Sequence, residues 1–328
     1  MENSIYVTVF TPTYNRANSI DRVFSSLKKQ SYKNFEWIVI DDGSTDNTKQ
    51  VVEQYIKDGE LDIRYIFHEN HGKHYAINEA VEMAKGDLFL IADSDDEFLD
   101  NSLEVFVDEW SKIPKEKRKR YKGITCRCVD TNGNMIGNKP IPQPYIDMSE
   151  LDFKYKYGYK GELWGIIRTD IMKEFPFPIL EGLRFYPESV VWDKMAEKYL
   201  TRYIDTSLRI LYADQENATT VANKNNRFKE NYILWKHYLN DLWRFRKFDR
   251  ISFLKAIIGV SRDGILSGKN KTEILKEIKN SNLTEECKTE VIQIIEQYDK
   301  NRAEEILPLL FKLIEIAPTL IKLFCGHL

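Results

Sequence analysis

The chain has 328 residues, 42% hydrophobic and 30% charged. It is long enough for one large or two smaller domains with apolar cores of their own, without disulfides or a structural metal. A formal net charge of -3 gives no general attraction for nucleic acid, and the basic stretch 115–120 reads as solvated surface. The cysteines Cys126, Cys128, Cys287 and Cys325 lack paired C-x-x-C spacing, which argues against a zinc site or a disulfide framework.

In chain order, residues 5–10 predict a strand with no basic, then apolar leader before it, so a reducing, cytoplasmic setting is expected. Apolar periodicity predicts a helix over 18–30, a strand over 35–40, a helix over 46–57 opening at Asp46, and a strand over 62–67. A helix over 74–85 ending at Gly86 and a strand over 87–92 complete the series. This alternation implies β-α-β units and a mostly parallel sheet covered by helices.

Beyond residue 100 the pattern is mixed. A strand at 123–129 runs into the hairpin signal Asn132-Gly133, and 138–160, rich in Pro, Tyr and Lys, reads as a loop over the site. A helix is expected at 188–199, strands at 201–205 and 207–213, and only helices from about 227. The apolar stretch 306–324 is broken by two prolines and three charges, too interrupted for a spanning helix. It reads as an interfacial segment touching a membrane, or as a helix packed on the domain or on a second subunit.

In an open parallel sheet, ligands bind beyond the carboxyl ends of the strands. Right-handed crossovers bring Thr11-Pro12-Thr13-Tyr14-Asn15-Arg16, Asp41-Asp42-Gly43-Ser44 and Asp93-Ser94-Asp95-Asp96 to that one edge. The acidic run at residues 93–97 repels itself unless a cation joins it, and Mg²⁺ or Mn²⁺ suits carboxylates and phosphates together. An EF-hand is excluded because its sixth residue should be Gly and is Phe98; a solvated turn before Asp100-Asn101-Ser102 is the plain structural alternative. Lys73, beside His74 at a helix start, would meet a diphosphate with the helix dipole's help, or else lie on the surface.

These segments, with Phe35-Glu36-Trp37-Ile38-Val39-Ile40 before Asp41, Glu69-Asn70-His71-Gly72-Lys73-His74 and Ala84-Lys85-Gly86-Asp87, carry a resemblance over residues 5–215. The chain is similar to inverting nucleotide-sugar glycosyltransferases of family 2. The resemblance implies a GT-A fold, an α/β Rossmann-like mostly parallel sheet flanked by helices, with a catalytic domain at 1–220 and a C-terminal helical region at 221–328. It implies a nucleotide-sugar donor, a UDP-sugar first, and a saccharide or lipid-linked saccharide acceptor in surface polysaccharide synthesis such as capsule.

By the same resemblance, Thr11, Thr13 and Asn15 lie at the nucleotide, Asp42 accepts from the base or ribose, and Lys73 serves the diphosphate. Asp95 holds Mn²⁺ or Mg²⁺, with Asp93 on the ribose or on a metal-bound water; Asp96 and Trp164 fall on the acceptor side, Trp164 reading equally as core. The catalytic base is expected at a helix start in an E-D-x-x-x-W-x-R-like pattern. Here Pro187-Glu188 stands in place of two acids, followed by Trp192 and Lys194, so Glu188 takes the base position and Asp193 is the fallback. Two rivals remain: a non-catalytic sugar-nucleotide-binding or assembly protein, favoured by that departure, and a nucleotidyltransferase, whose Gly-rich loop after the first strand is missing.

Overall fold

The computed structural model describes residues 4–212 and 227–297, which fall into two compact units divided near residue 222. The stretch 306–324 lies outside the described residues.

In the first unit, strands β1 (Val7–Thr13), β2 (Phe35–Asp41), β3 (Ile63–Phe67) and β4 (Leu88–Ile91) alternate with helices α1 (Ile20–Lys29), α2 (Thr48–Asp58) and α3 (Lys73–Met83). The short strand β5 (Glu97–Phe98) leads to α4 (Ser102–Ser111), α5 (Lys115–Arg118) and the long strand β6 (Tyr121–Asp130). Then come β7 (Tyr145–Met148), α6 (Glu150–Asp152), a π-helical turn at Phe153–Tyr157, β8 (Leu163–Arg168), α7 (Thr169–Glu174), α8 (Glu188–Lys198) and β9 (Leu200–Leu211).

The strands form one sheet in the order β3-β2-β1-β4-β8-β6-β9-β5, with β7 added on β9. Strands β1 to β4 are parallel, β8 lies antiparallel to β4 and β6, and β6 runs parallel to β9. Every residue of β2 is buried, the mark of a strand covered on both faces. On one face Val23, Phe24 and Leu27 of α1 pack with Val9, Trp37 and Val39; toward the other, Phe10 stacks on Phe89 at 5.8 Å.

The strand order reverses between β1 and β4, the topological switch point where open α/β sheets bind ligands. Strand β4 pairs with β1 only from Val7 to Phe10, while β2 continues to Thr13. Pro12, which has no N–H to give, is tolerated on this one-sided stretch, and the sheet opens there into a cleft.

Two sequence expectations change. The loop expected over 138–160 contains β7, α6 and the π-helical turn: Arg202 bonds Asp147 through both carboxylate oxygens at 2.9 and 3.0 Å, and Phe153 stacks on Tyr203 at 3.8 Å. The two strands expected at 201–205 and 207–213 are the single strand β9, whose pairing with β6 slips where the break was placed. At Asn132-Gly133 the chain turns tightly, with Gly133 at φ +79°, but its return arm is only the bridge from Val129 to Met135.

In the second unit, helices α9 (Phe228–Asn240), α10 (Arg250–Leu266), α11 (Lys271–Lys279) and α12 (Glu285–Gln297) follow one another. The Trp235 indole N–H donates to the buried Asp263 at 2.7 Å. Lys236 and Lys269 hold Glu277 and, against the opposing effect of burial, bring its carboxyl down to about 2. No helix among the described residues is long and apolar enough to cross a membrane.

Candidate active site

The β2 end is a hydrogen-bonded turn in which the two adjacent aspartates do different work. Asp41 faces inward, accepting from Ser44 N–H and the Tyr65 hydroxyl at 2.8 Å each. Asp42 faces the start of α3 and accepts the backbone N–H groups of His71 at 2.7 Å and Gly72 at 2.9 Å. Burial pushes its carboxyl up, opposed by those two bonds. A carboxylate has about four acceptor positions; Asp42 uses two to anchor α3, has His68 Nδ1 3.4 Å from Oδ1, and retains spare acceptor capacity beyond these. The rings of His68, His71 and Tyr75 cluster beside it, with centroids 4.8 to 5.5 Å apart.

The β1 end is fastened to the same turn. Asn15, in a left-handed conformation at φ +53°, accepts from Thr45 N–H at 2.8 Å, while its own N–H donates to Ser44 Oγ at 2.8 Å. Thr11 is fully buried and accepts from the Trp37 indole at 2.9 Å. The Thr13 carbonyl accepts from Asp42 N–H at 2.8 Å; its hydroxyl is buried with no partner among the described residues.

At the end of β4 the acidic run is divided among cations. Lys73, the first residue of α3, lies 2.8 Å from Asp93 Oδ1 and 3.0 Å from Glu188 Oε1. Arg209 of β9 reaches Asp93 Oδ2 at 2.9 Å and is bonded to Asp96 as well. Burial alone would raise Asp93, but Lys73 and then Arg209 outweigh it and hold that carboxyl well below the usual range. Asp96 shares Arg209 with Asp93 and has no second cation among the described residues; burial pushes it up to about 6 despite the guanidinium. Asp95 stands at the rim, 3.2 Å from Arg16, and its carbonyl accepts from Arg22 at 2.8 Å.

A cavity of about 170 Å³ is lined by Lys73, Asp93, Glu188, Arg209, Trp164 and Trp192 among others. Glu188 is the first residue of α8, after Pro187. The fallback Asp193 is buried and does not line the cavity; Thr11, Thr13, Asn15, Asp42, Asp95 and Asp96 do not line it either. Trp164 is mainly a core residue: it is 4% exposed, packs on Phe98 and Phe106, and donates to the Ile91 carbonyl at 2.7 Å. Trp192, half-buried, is the more accessible aromatic on the wall.

A parallel sheet whose strand ends gather carboxylates, a helix-start lysine and a further acid on a facing helix matches a known group of enzymes. Residues 8–125 match the model of glycosyl transferase family 2. An uncharacterized glycosyltransferase of Rickettsia typhi is 34% identical over 240 residues, 72% of each chain. The chain belongs to glycosyl transferase family 2. It is also 26% identical to the putative teichuronic acid biosynthesis glycosyltransferase TuaG of Bacillus subtilis, over 76% of this chain and 91% of TuaG. Among solved structures it is similar to residues 1–349 of S. aureus TarS in complex with UDP-GlcNAc, with a TM-score of 0.60 at 20% identity, covering 89% of this chain and 82% of that one. The GT-A expectation for the fold holds.

For this family 2 enzyme, the donor set can be tested against a divalent metal. Among the described residues no three His, Cys, Asp or Glu side chains converge as a cage, and both Asp93 oxygens are already held by cations. Asp95, a hard oxygen donor at the rim, fits as a single protein ligand, since Mg²⁺ commonly takes one or two carboxylates and completes its shell with phosphates and water. Sequence reasoning missed Arg209; its signal is a lone cation in the apolar stretch Leu208-Arg209-Ile210-Leu211, where a buried charge implies a partner.

Proposed function

We propose that this glycosyltransferase moves a sugar from a nucleotide-activated donor, a UDP-sugar first, to a saccharide hydroxyl with inversion, in the assembly of a surface polysaccharide. The observation that carries the reading is the pairing of Lys73 with both Asp93 and Glu188, all three lining the cavity. It puts a carboxylate able to take an acceptor's proton and a cation able to meet a diphosphate in the same cavity. TuaG, by its name, serves teichuronic acid synthesis, and TarS was solved with UDP-GlcNAc; both support the substrate classes.

In this reading the nucleotide occupies the cleft past β1 and β2, with the backbone at Thr11 and Thr13 and the free lone pairs of Asp42 toward base and ribose, and Asn15 fixing the turn that shapes it. Asp95 holds Mn²⁺ or Mg²⁺ together with the diphosphate, and when bound the ion acts as a Lewis acid toward the leaving group. Lys73, at the positive end of α3, releases its carboxylates to meet the diphosphate as charge develops there. Glu188 takes the acceptor proton; Asp193 is set aside because it is buried off the cavity wall. Arg209 orients Asp93 by a charged hydrogen bond. Asp96 and Trp164 shape the acceptor side from behind.

A panel of nucleotide sugars, screened with Mn²⁺ for hydrolysis and for thermal stabilisation, tests the reading. At least one UDP-sugar should be hydrolysed and should raise the melting temperature. No response to any donor, with no nucleotide binding, would refute it.

A further inference from the structure

The cavity wall carries a second polar set that has no role in the scheme above: Lys122 of β6, Glu150 of α6, and Thr201 and Tyr203 of β9. Lys122 is 4% exposed, and Thr201 and Tyr203 are 1% each. The Lys122 ammonium donates to Glu150 Oε2, its one partner among the described residues. The hydroxyls of Thr201 and Tyr203 are buried and near one another, and neither bonds any other group among the described residues.

The backbone builds this grouping. Strands β6 and β9 run side by side with Gly123 opposite Thr201 and Thr125 opposite Tyr203, and the register slips between Tyr121 and Gly123. Lys122 is therefore the extra residue of an irregularity, the device by which a strand re-aims a side chain. Burial, and then Glu150, push the Tyr203 phenol well above its ordinary range, with Thr201 opposing, so these groups are electrostatic neighbours.

The chemistry of the set selects its ligand. Lys122 and Glu150 cancel in charge, so an anionic substituent such as a uronic carboxylate gains little from the pair. What they offer is spare ammonium N–H donors beside a spare carboxylate oxygen, with two hydroxyls able to donate or accept. Adjacent ring hydroxyls have the complementary character, and unpaired buried hydroxyls call for a partner of this kind. A cavity of about 170 Å³, below the ~300–1,000 Å³ of sites that enclose whole drug-sized ligands, suits one sugar ring and not a nucleotide.

We propose that Lys122, Glu150, Thr201 and Tyr203 form a subsite that reads neighbouring hydroxyls on the neutral sugar ring being transferred, and so set the donor's sugar specificity. This rests on the nucleotide-sugar transferase reading. Thr201→Val and Tyr203→Phe test it, because each deletes a hydroxyl that bonds no third group among the described residues; Lys122→Met is the third variant. Donor hydrolysis without acceptor is measured with UDP-glucose, UDP-galactose, UDP-GlcNAc, UDP-GalNAc and UDP-glucuronate, alongside UDP affinity by calorimetry and melting temperature.

The parent enzyme should prefer a neutral sugar. Each hydroxyl deletion should lower kcat/KM for that sugar about three- to tenfold and shrink its advantage over the epimer, with UDP affinity and melting temperature held. An unchanged epimer ratio with UDP binding intact would overturn the subsite and leave the transferase reading standing, as would preference for glucuronate. A parent enzyme that binds no nucleotide and hydrolyses no donor would overturn both.

Discussion

Lys73 Nζ stands 3.0 Å from Glu188 Oε1, joining the start of α3 to the start of α8. The same ammonium is 2.8 Å from Asp93, and those two acids raise Lys73 well above its ordinary range against the effect of burial. It is a full cation at any working pH. Lys73→Met should therefore weaken donor binding and lower kcat/KM by about 10²–10³-fold, the scale of losing one preorganised electrostatic contact in a transition state. Steady-state kinetics with calorimetry of UDP binding check this; Lys73→Arg should recover part of the affinity and less of the turnover.

In the proposed scheme Asp95, which pairs with Arg16 at 3.2 Å, is the carboxylate that would exchange that partner for a metal. Asp95→Ala should abolish the gain in UDP affinity that Mn²⁺ confers while sparing metal-free binding. Titration calorimetry with and without Mn²⁺ reads the difference, and an unchanged gain would remove Asp95 from the metal site.

Gly72 joins two parts of the site. Its φ is +93°, and a Cβ there would lie 1.9 Å from the Arg184 carbonyl oxygen, in the segment leading to Glu188. Its N–H also holds Asp42. Gly72→Ala should destabilise the fold by about 2 kcal/mol or more and lower turnover by displacing Lys73 and Glu188 together. Chemical denaturation and kinetics on the same preparation measure the two losses.

Asp96 sets a pH dependence. Its folded pKa of about 6 lies above the ordinary 3.8, so between those values the folded protein holds a proton that the unfolded chain has lost. The linkage slope is negative there: this group's contribution to stability falls as pH rises from about 4 to about 6, and is flat outside that window. Asp96→Asn should thus compare better with the parent at pH 7 than at pH 4, by up to about 3 kcal/mol. Melting curves of both proteins at the two pH values test the sign.

The half of the molecule that reads clearly from sequence is the half whose strands are buried on both faces. Continuous apolar runs such as 37–40 and 88–92 mark their own ends, and the residues just past those ends, Asp42 and Asp93, lie at the cleft for topological reasons alone. Glu188 and Lys73 follow from helix starts, though their contact does not. Strands β7 and β8 were not legible: their pairings are antiparallel and long-range, and Asp147 meets Arg202 across 55 residues. Arg209 was hidden for the same reason, since only the sheet brings it to Asp93, 116 residues away. The use of Asp42 as an anchor for α3 depends on the turn at Gly72, which pattern alone does not place.

The central claim is that Glu188 takes the acceptor's proton, beside the Lys73 ammonium that serves the donor. Glu188→Gln keeps the size and most of the hydrogen bonding of the side chain and removes the base. Measured with the UDP-sugar found by the panel and with its acceptor, this variant should keep donor affinity within a few-fold, since Lys73 itself remains, and lose about 10²–10⁴-fold in kcat. Turnover within a few-fold of the parent, at equal donor affinity, would contradict the account.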